Sequence, residues 1–93
     1  MTPEQVFAVC RRYASLLDAK GCEAVQDPKA ETQEAKLNHV RWMCDETVEF
    51  VDLFLEGKGQ GHLDKAMRWL GFIQGVLAVS NILTIEEMKA DNR

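Results

Sequence analysis

Three glycines in five residues, Gly57-Lys58-Gly59-Gln60-Gly61, constrain this chain more than any other stretch. Glycine reaches positive φ without steric cost, and so dense a run ends a helix. Apolar residues recur at helical spacing on both sides of it. Leu37, Val40, Cys44, Val48, Val51 and Leu55 form a stripe before it, and Leu63, Ala66, Met67, Leu70, Ile73 and Leu77 form one after it. Two amphipathic helices joined by a short loop lie antiparallel. The sequence therefore predicts an all-α fold organised on a central antiparallel helical hairpin. Asp27-Pro28 reads as the hairpin's start, with Asp27 capping and Pro28 at the first position, and its first helix then runs to about Glu56; Lys29 to Lys36 are polar all round, so those first turns project or fray, or the helix begins after them. The second runs from about His62 to Val79 or Ser80, with Asn81 as a left-handed cap.

Two further helices flank the hairpin. Thr2-Pro3-Glu4-Gln5 has the form of a capping box with proline at the first helical position. Val6, Cys10, Tyr13 or Ala14, and Leu17 follow at helical spacing until about Lys20, and Gly21 stops the run. Near the other end, Thr84 and Glu87 form a second capping box, with Leu83 stapling against Met88 to start a short helix. A length of 93 residues allows one domain, residues 1–93. The expected architecture is a small helical bundle, with the first helix packed across the hairpin and a short helix after it.

The hairpin carries more apolar surface than one neighbour covers. Trp42, Phe50 and Phe54 stand away from the first stripe, and Trp69, Phe72 and Val76 form a second face on the following helix. Gly71 and Gly75 share a helical face there. Each costs about 1 kcal/mol against alanine in a helix interior, which predicts a close backbone approach at that face. Trp42, Phe50, Phe54, Arg68, Trp69, Gly71, Phe72, Gly75 and Val76 are the interface candidates, and a homodimer built on the two hairpin helices is the leading expectation. Arg41 and Arg68 neighbour the tryptophans, and either can pair with Asp45 or Glu46 or anchor a partner.

Charge and composition narrow the function. Fifteen acidic against eleven basic residues give a net charge of -4, which disfavours phosphate-backbone binding and makes nucleic acid an unlikely partner. No apolar run is long enough to cross a bilayer, so no membrane partner is expected. MTPEQVFAV reads as a helix start and not as an export signal. Cys10, Cys22 and Cys44 are odd in number and widely spaced, which fits a reducing cytoplasm better than a disulfide framework.

Catalytic sets are sparse. Ser15 and Ser80 sit in no nucleophile elbow, and the glycine run precedes no phosphate-binding Lys-Ser or Lys-Thr ending. His39, Cys44, Asp45, Glu46, Glu49 and His62 lack the short spacings of a zinc site. No catalytic residue, cofactor or metal site is expected from the residues alone, with Glu46 and Glu49 the one pair worth testing. Acids three apart on a helix can hold magnesium against a diphosphate.

Glu46-Thr47-Val48-Glu49, followed by Asp52, resembles the ExxE half of the all-α nucleoside triphosphate pyrophosphatases. That family pairs it with a second acidic motif on the next helix, where this chain has only Asp64, followed by Lys65 and Arg68. The blocks LNHVRWMCDE, KAMRWLGFIQGVL and TIEEMKADNR resemble, in order and spacing, small uncharacterised proteins of tailed bacteriophages and prophages. The likeness covers Leu37 to Arg93, and such relatives commonly have a tryptophan where this chain has Ala78 and Val79. It implies phage origin, action in the cytoplasm of an infected bacterium, and no established catalytic residues. By analogy of class, such a protein is a non-enzymatic accessory, an adaptor or an inhibitor, that binds and modulates a host or defence protein, with inhibition the leading expectation. A nucleotide-handling protein, whether signal binder or pyrophosphatase-like, and a structural subunit of a phage assembly are the alternatives.

Overall fold

A computed structural model describes residues 1–93 as four α-helices and no strand: α1 (Pro3–Ala19), α2 (Gln33–Leu55), α3 (Gln60–Val79) and α4 (Ile85–Asp91). The α2/α3 hairpin and the α1/α2 pair share the largest contacts, and α1 meets α3 over a smaller area. The chain is thus a small all-α bundle, with α1 laid against one side of the hairpin.

Local chemistry sets most of the boundaries. Thr2 and Thr84 make complete capping boxes with Gln5 and Glu87. α1, α2 and α3 end alike, with a left-handed residue at Gly21, Gly57 or Asn81. In each, the next amide returns to a carbonyl five residues back: Cys22 to Leu17, Lys58 to Leu53 and Ile82 to Leu77. These paired closures satisfy carbonyls that a helix end otherwise leaves open. Gly59, at φ 120°, then breaks the chain between α2 and α3.

α2 begins five residues later than Asp27-Pro28 implies. Its cap is Thr32, whose hydroxyl accepts the Ala35 amide at 3.1 Å. Asp27-Pro28 instead forms a turn closed by the Ala30 amide on the Asp27 carbonyl at 3.1 Å, because proline at the second position suits a turn as well as a helix start. The loop before α2 is tied to that helix. Asn38 accepts the Glu23 amide at 3.0 Å, and His39 Nδ1 accepts the Asp27 amide at 2.9 Å.

The core joins Val6, Val9, Cys10, Tyr13, Ala14 and Leu17 of α1 to Val40, Met43, Cys44 and Val51 of α2 and to Ala66, Leu70, Ile73 and Leu77 of α3, with Leu83 closing one end. Two of the stripe positions differ from the sequence reading. Leu55 and Met67 are exposed, and Thr47 and Gln74 are buried in the interior. Thr47 meets its own backbone, donating to the Met43 carbonyl at 2.7 Å. Gln74 belongs to a network that fastens the C-terminal segment. It exchanges amide hydrogen bonds with Asn92 at 2.7 and 3.2 Å and donates to the Tyr13 hydroxyl at 3.2 Å. Tyr13 donates to Asp91 Oδ2 at 2.5 Å, and Arg12 pairs with the same carboxylate.

Candidate functional site

The hairpin has a second side, away from α1, and no element covers it. Helical spacing places His39, Trp42, Glu46 and Phe50 of α2 beside Lys65, Trp69, Phe72, Val76 and Val79 of α3 along this side. Its middle is an aromatic row. His39 stacks on Trp42 with centroids 5.3 Å apart, Trp42 meets Trp69 at 5.9 Å, and Phe50 meets Trp69 edge-on at 4.9 Å. The Lys65 ammonium lies 4.6 Å from the Phe50 centroid and 5.5 Å from that of Trp69. A cation over a ring face is held by the ring quadrupole. Trp42, Phe50 and Trp69 pack against the core and, like His39, remain partly exposed to solvent.

Toward the end of α3 the row opens into a groove of about 650 Å³ between the two helices. Gln33 and Lys36 of α2 rim it, and Phe72, Gly75, Val76, Val79 and Ser80 line it. A smaller hollow of about 230 Å³ continues it past His39 to the Asp27-Pro28 turn. Two apolar side chains here remain largely in water, Phe72 at 56% exposure and Val79 at 85%.

The sequence candidates divide accordingly. Trp42, Phe50 and Trp69 meet in the aromatic row; Phe72, Gly75 and Val76 meet in the groove; Arg68 and Gly71 are exposed on α3 beside them. Phe54, near the end of α2, is half-buried and joins neither. Gly71 and Gly75 bring no part of this chain close. A Cβ added at either meets nothing within 4 Å, so the close approach expected there is absent within the chain. Arg41 pairs with Asp45 at 2.8 Å, as one of the expected options had it, and also with Asp18 at 2.7 Å across to α1. Arg68 and Glu46 enter no ion pair.

The sequence reading missed Val79, Lys36 and Gln33, and it placed Lys65 with Arg68 beside the Glu46 and Glu49 pair, whereas Lys65 lies over the Phe50 and Trp69 rings. A valine in the last turn of α3, following Phe72 at helical spacing, was the available signal for the first. Lys36 carries none, since a solvated lysine and a rim lysine look alike in sequence.

Chemically reactive side chains are used elsewhere. Burial pushes the thiols of Cys10 and Cys44 up to about 12. Burial also raises Tyr13, reinforced by its hydrogen bond to the Asp91 carboxylate. Glu46 is half-buried and Glu49 exposed, and no three His, Cys, Asp or Glu side chains gather to hold a metal ion. No helix is long and apolar enough to cross a membrane. No protein-family model, curated protein or solved structure matches the chain.

Proposed function

We propose that this chain is a phage-encoded, non-enzymatic accessory protein that works by association and inhibits a host or defence protein in the bacterial cytoplasm. The uncovered α2/α3 face carries the reading. An apolar groove contiguous with an aromatic row, edged by Lys36, Lys65 and Arg68, has the mixture of apolar and aromatic centre with polar rim that protein contacts use. The state of the nucleophiles supports it: Cys10 and Cys44 lie in the core, and the Tyr13 hydroxyl is spent on Asp91. Phage origin rests on the three sequence blocks between Leu37 and Arg93.

Native mass spectrometry of the tagged protein recovered from host lysate tests this, with Phe72→Asp alongside. The wild type is expected to carry an added host-protein mass that the variant lacks. Bare protein in both samples overturns the reading. An added mass of nucleotide size transfers the assignment to nucleotide handling, and an added phage protein transfers it to a structural subunit.

A further inference from the structure

We infer that the segment from Gln26 to Glu31 is a strap released by acid, with His39 as the group that holds and frees it. Such a strap acts whatever occupies the α2/α3 face. The chain is fixed at both ends of this segment. Upstream, the Glu23 amide donates to the Asn38 side chain at 3.0 Å and the Val25 amide to the Asn38 carbonyl at 3.2 Å. Downstream, Thr32 caps α2. Between these points no side chain is buried, and the turn closes on itself through the Ala30 amide and the Asp27 carbonyl. One hydrogen bond leaves the segment, from the Asp27 amide to His39 Nδ1 at 2.9 Å. A stretch without a buried apolar anchor opens at little cost, so this bond decides whether the strap lies on α2.

The bond requires one protonation state. A backbone amide only donates, so Nδ1 offers its lone pair and the ring's proton sits on Nε2. A proton from water on Nδ1 turns the acceptor into a donor, and two N–H groups then face each other. The lone pair is occupied while the strap is closed, so charging the ring and parting from Asp27 are one event. The open form binds one proton more than the closed form, and falling pH therefore favours it. Asp27 and Lys36 are the charged residues that line the hollow beside His39, where α3 contributes Phe72 and Val76. The chain's ion pairs lie elsewhere, at Arg12 with Asp91 and at Arg41 with Asp18 and Asp45. No carboxylate is therefore within ion-pair distance to hold a charged ring under the closed strap. The Trp42 ring, stacked at 5.3 Å, keeps the imidazolium in place once the strap has left. Release strips Asp27, Pro28 and Ala30 from the hollow of about 230 Å³, so this end of the groove widens in acid.

Nuclear magnetic resonance of the full chain at about pH 8 and about pH 5, the limits between which imidazole ordinarily charges, tests the inference. At the upper limit a scalar coupling is expected across the hydrogen bond, between the Asp27 amide nitrogen and His39 Nδ1. At the lower limit the coupling is lost, and the Asp27 amide gives up about tenfold or more of its protection from exchange, while the Val25 and Leu70 amides keep theirs. His39→Asn brings a carbonyl oxygen within reach of the same amide and has no proton to gain, so its strap stays protected at both limits. His39→Leu removes the acceptor and leaves the strap open at both, in a chain still folded by circular dichroism. His62→Gln removes the other histidine and leaves the response as in the wild type. A missing coupling at about pH 8, a His39 ring still neutral at about pH 5, a pH response that survives in His39→Asn, or equal loss of protection at Leu70 overturns the inference.

Discussion

One hydroxyl group, that of Tyr13, holds α1, α3 and the C-terminal segment together by touching Gln74 and Asp91. Tyr13→Phe leaves the Gln74 amide and the Asp91 carboxylate each short of a partner, which costs about 1–3 kcal/mol. Chemical denaturation reads the loss, and hydrogen exchange is expected to quicken first in α4. The cysteines give a second prediction at this scale. Cys22 is half-buried, whereas Cys10 and Cys44 are in the core, so a thiol reagent titrates one group in the native protein and three after unfolding. Both core thiols ionise near 12 in the fold against 9.0 ordinarily. The unfolded chain releases these protons first, so their contribution to stability is full below pH 9.0 and is lost as pH rises toward about 12. Melting temperatures between those limits fall, and fall less steeply in Cys44→Ala.

Among the elements, identical residue types have opposite effects according to backbone conformation. Gly57 stands at φ 81° in the closure of α2, so Gly57→Ala strains the turn and costs about 1 kcal/mol or more. Gly71 is helical with open space where a side chain would go, so Gly71→Ala gains up to about 1 kcal/mol in the protomer. Thermal melts of the two variants are expected to move in opposite directions. The boundaries show what sequence discloses at this scale. Thr2, Thr84, Gly21 and Asn81 act within four or five residues of themselves, so local chemistry announces them. Asp27-Pro28 satisfies a turn and a helix start equally, and what decides is the hydrogen bond from the Asp27 amide to His39, twelve residues away. Gln74 was unreadable for the same reason: a polar residue on an apolar face is legible as buried only once Tyr13 and Asn92 are known to meet it.

For the whole molecule, the decisive asymmetry is that α1 covers one side of the hairpin, whereas no helix covers the other and only the Asp27-Pro28 turn edges it. Periodicity showed that the hairpin has two apolar faces, because Trp42 and Trp69 fall off the core stripes. It could not separate Phe50, which joins the aromatic row, from Phe54, which does not. Nor could it join Lys36 to Val79, since that needs the antiparallel register of α2 on α3. Phe72 already lies in water, so Phe72→Asp is expected to change protomer stability by no more than about 0.5 kcal/mol while abolishing association. Equal denaturation midpoints for wild type and variant, with capture of a host protein by the wild type alone, are the expected result.

The chain's two tryptophans lie 5.9 Å apart on this same face. Indole emission depends on contact with water, and neighbouring indoles couple in their near-ultraviolet transitions. The protein therefore carries an intrinsic optical reporter at its uncovered surface. A partner that seals the outer edges of both rings shifts their emission to the blue, and a loosened hairpin erases the coupled dichroism, so occupancy and integrity of the face are readable separately without any label.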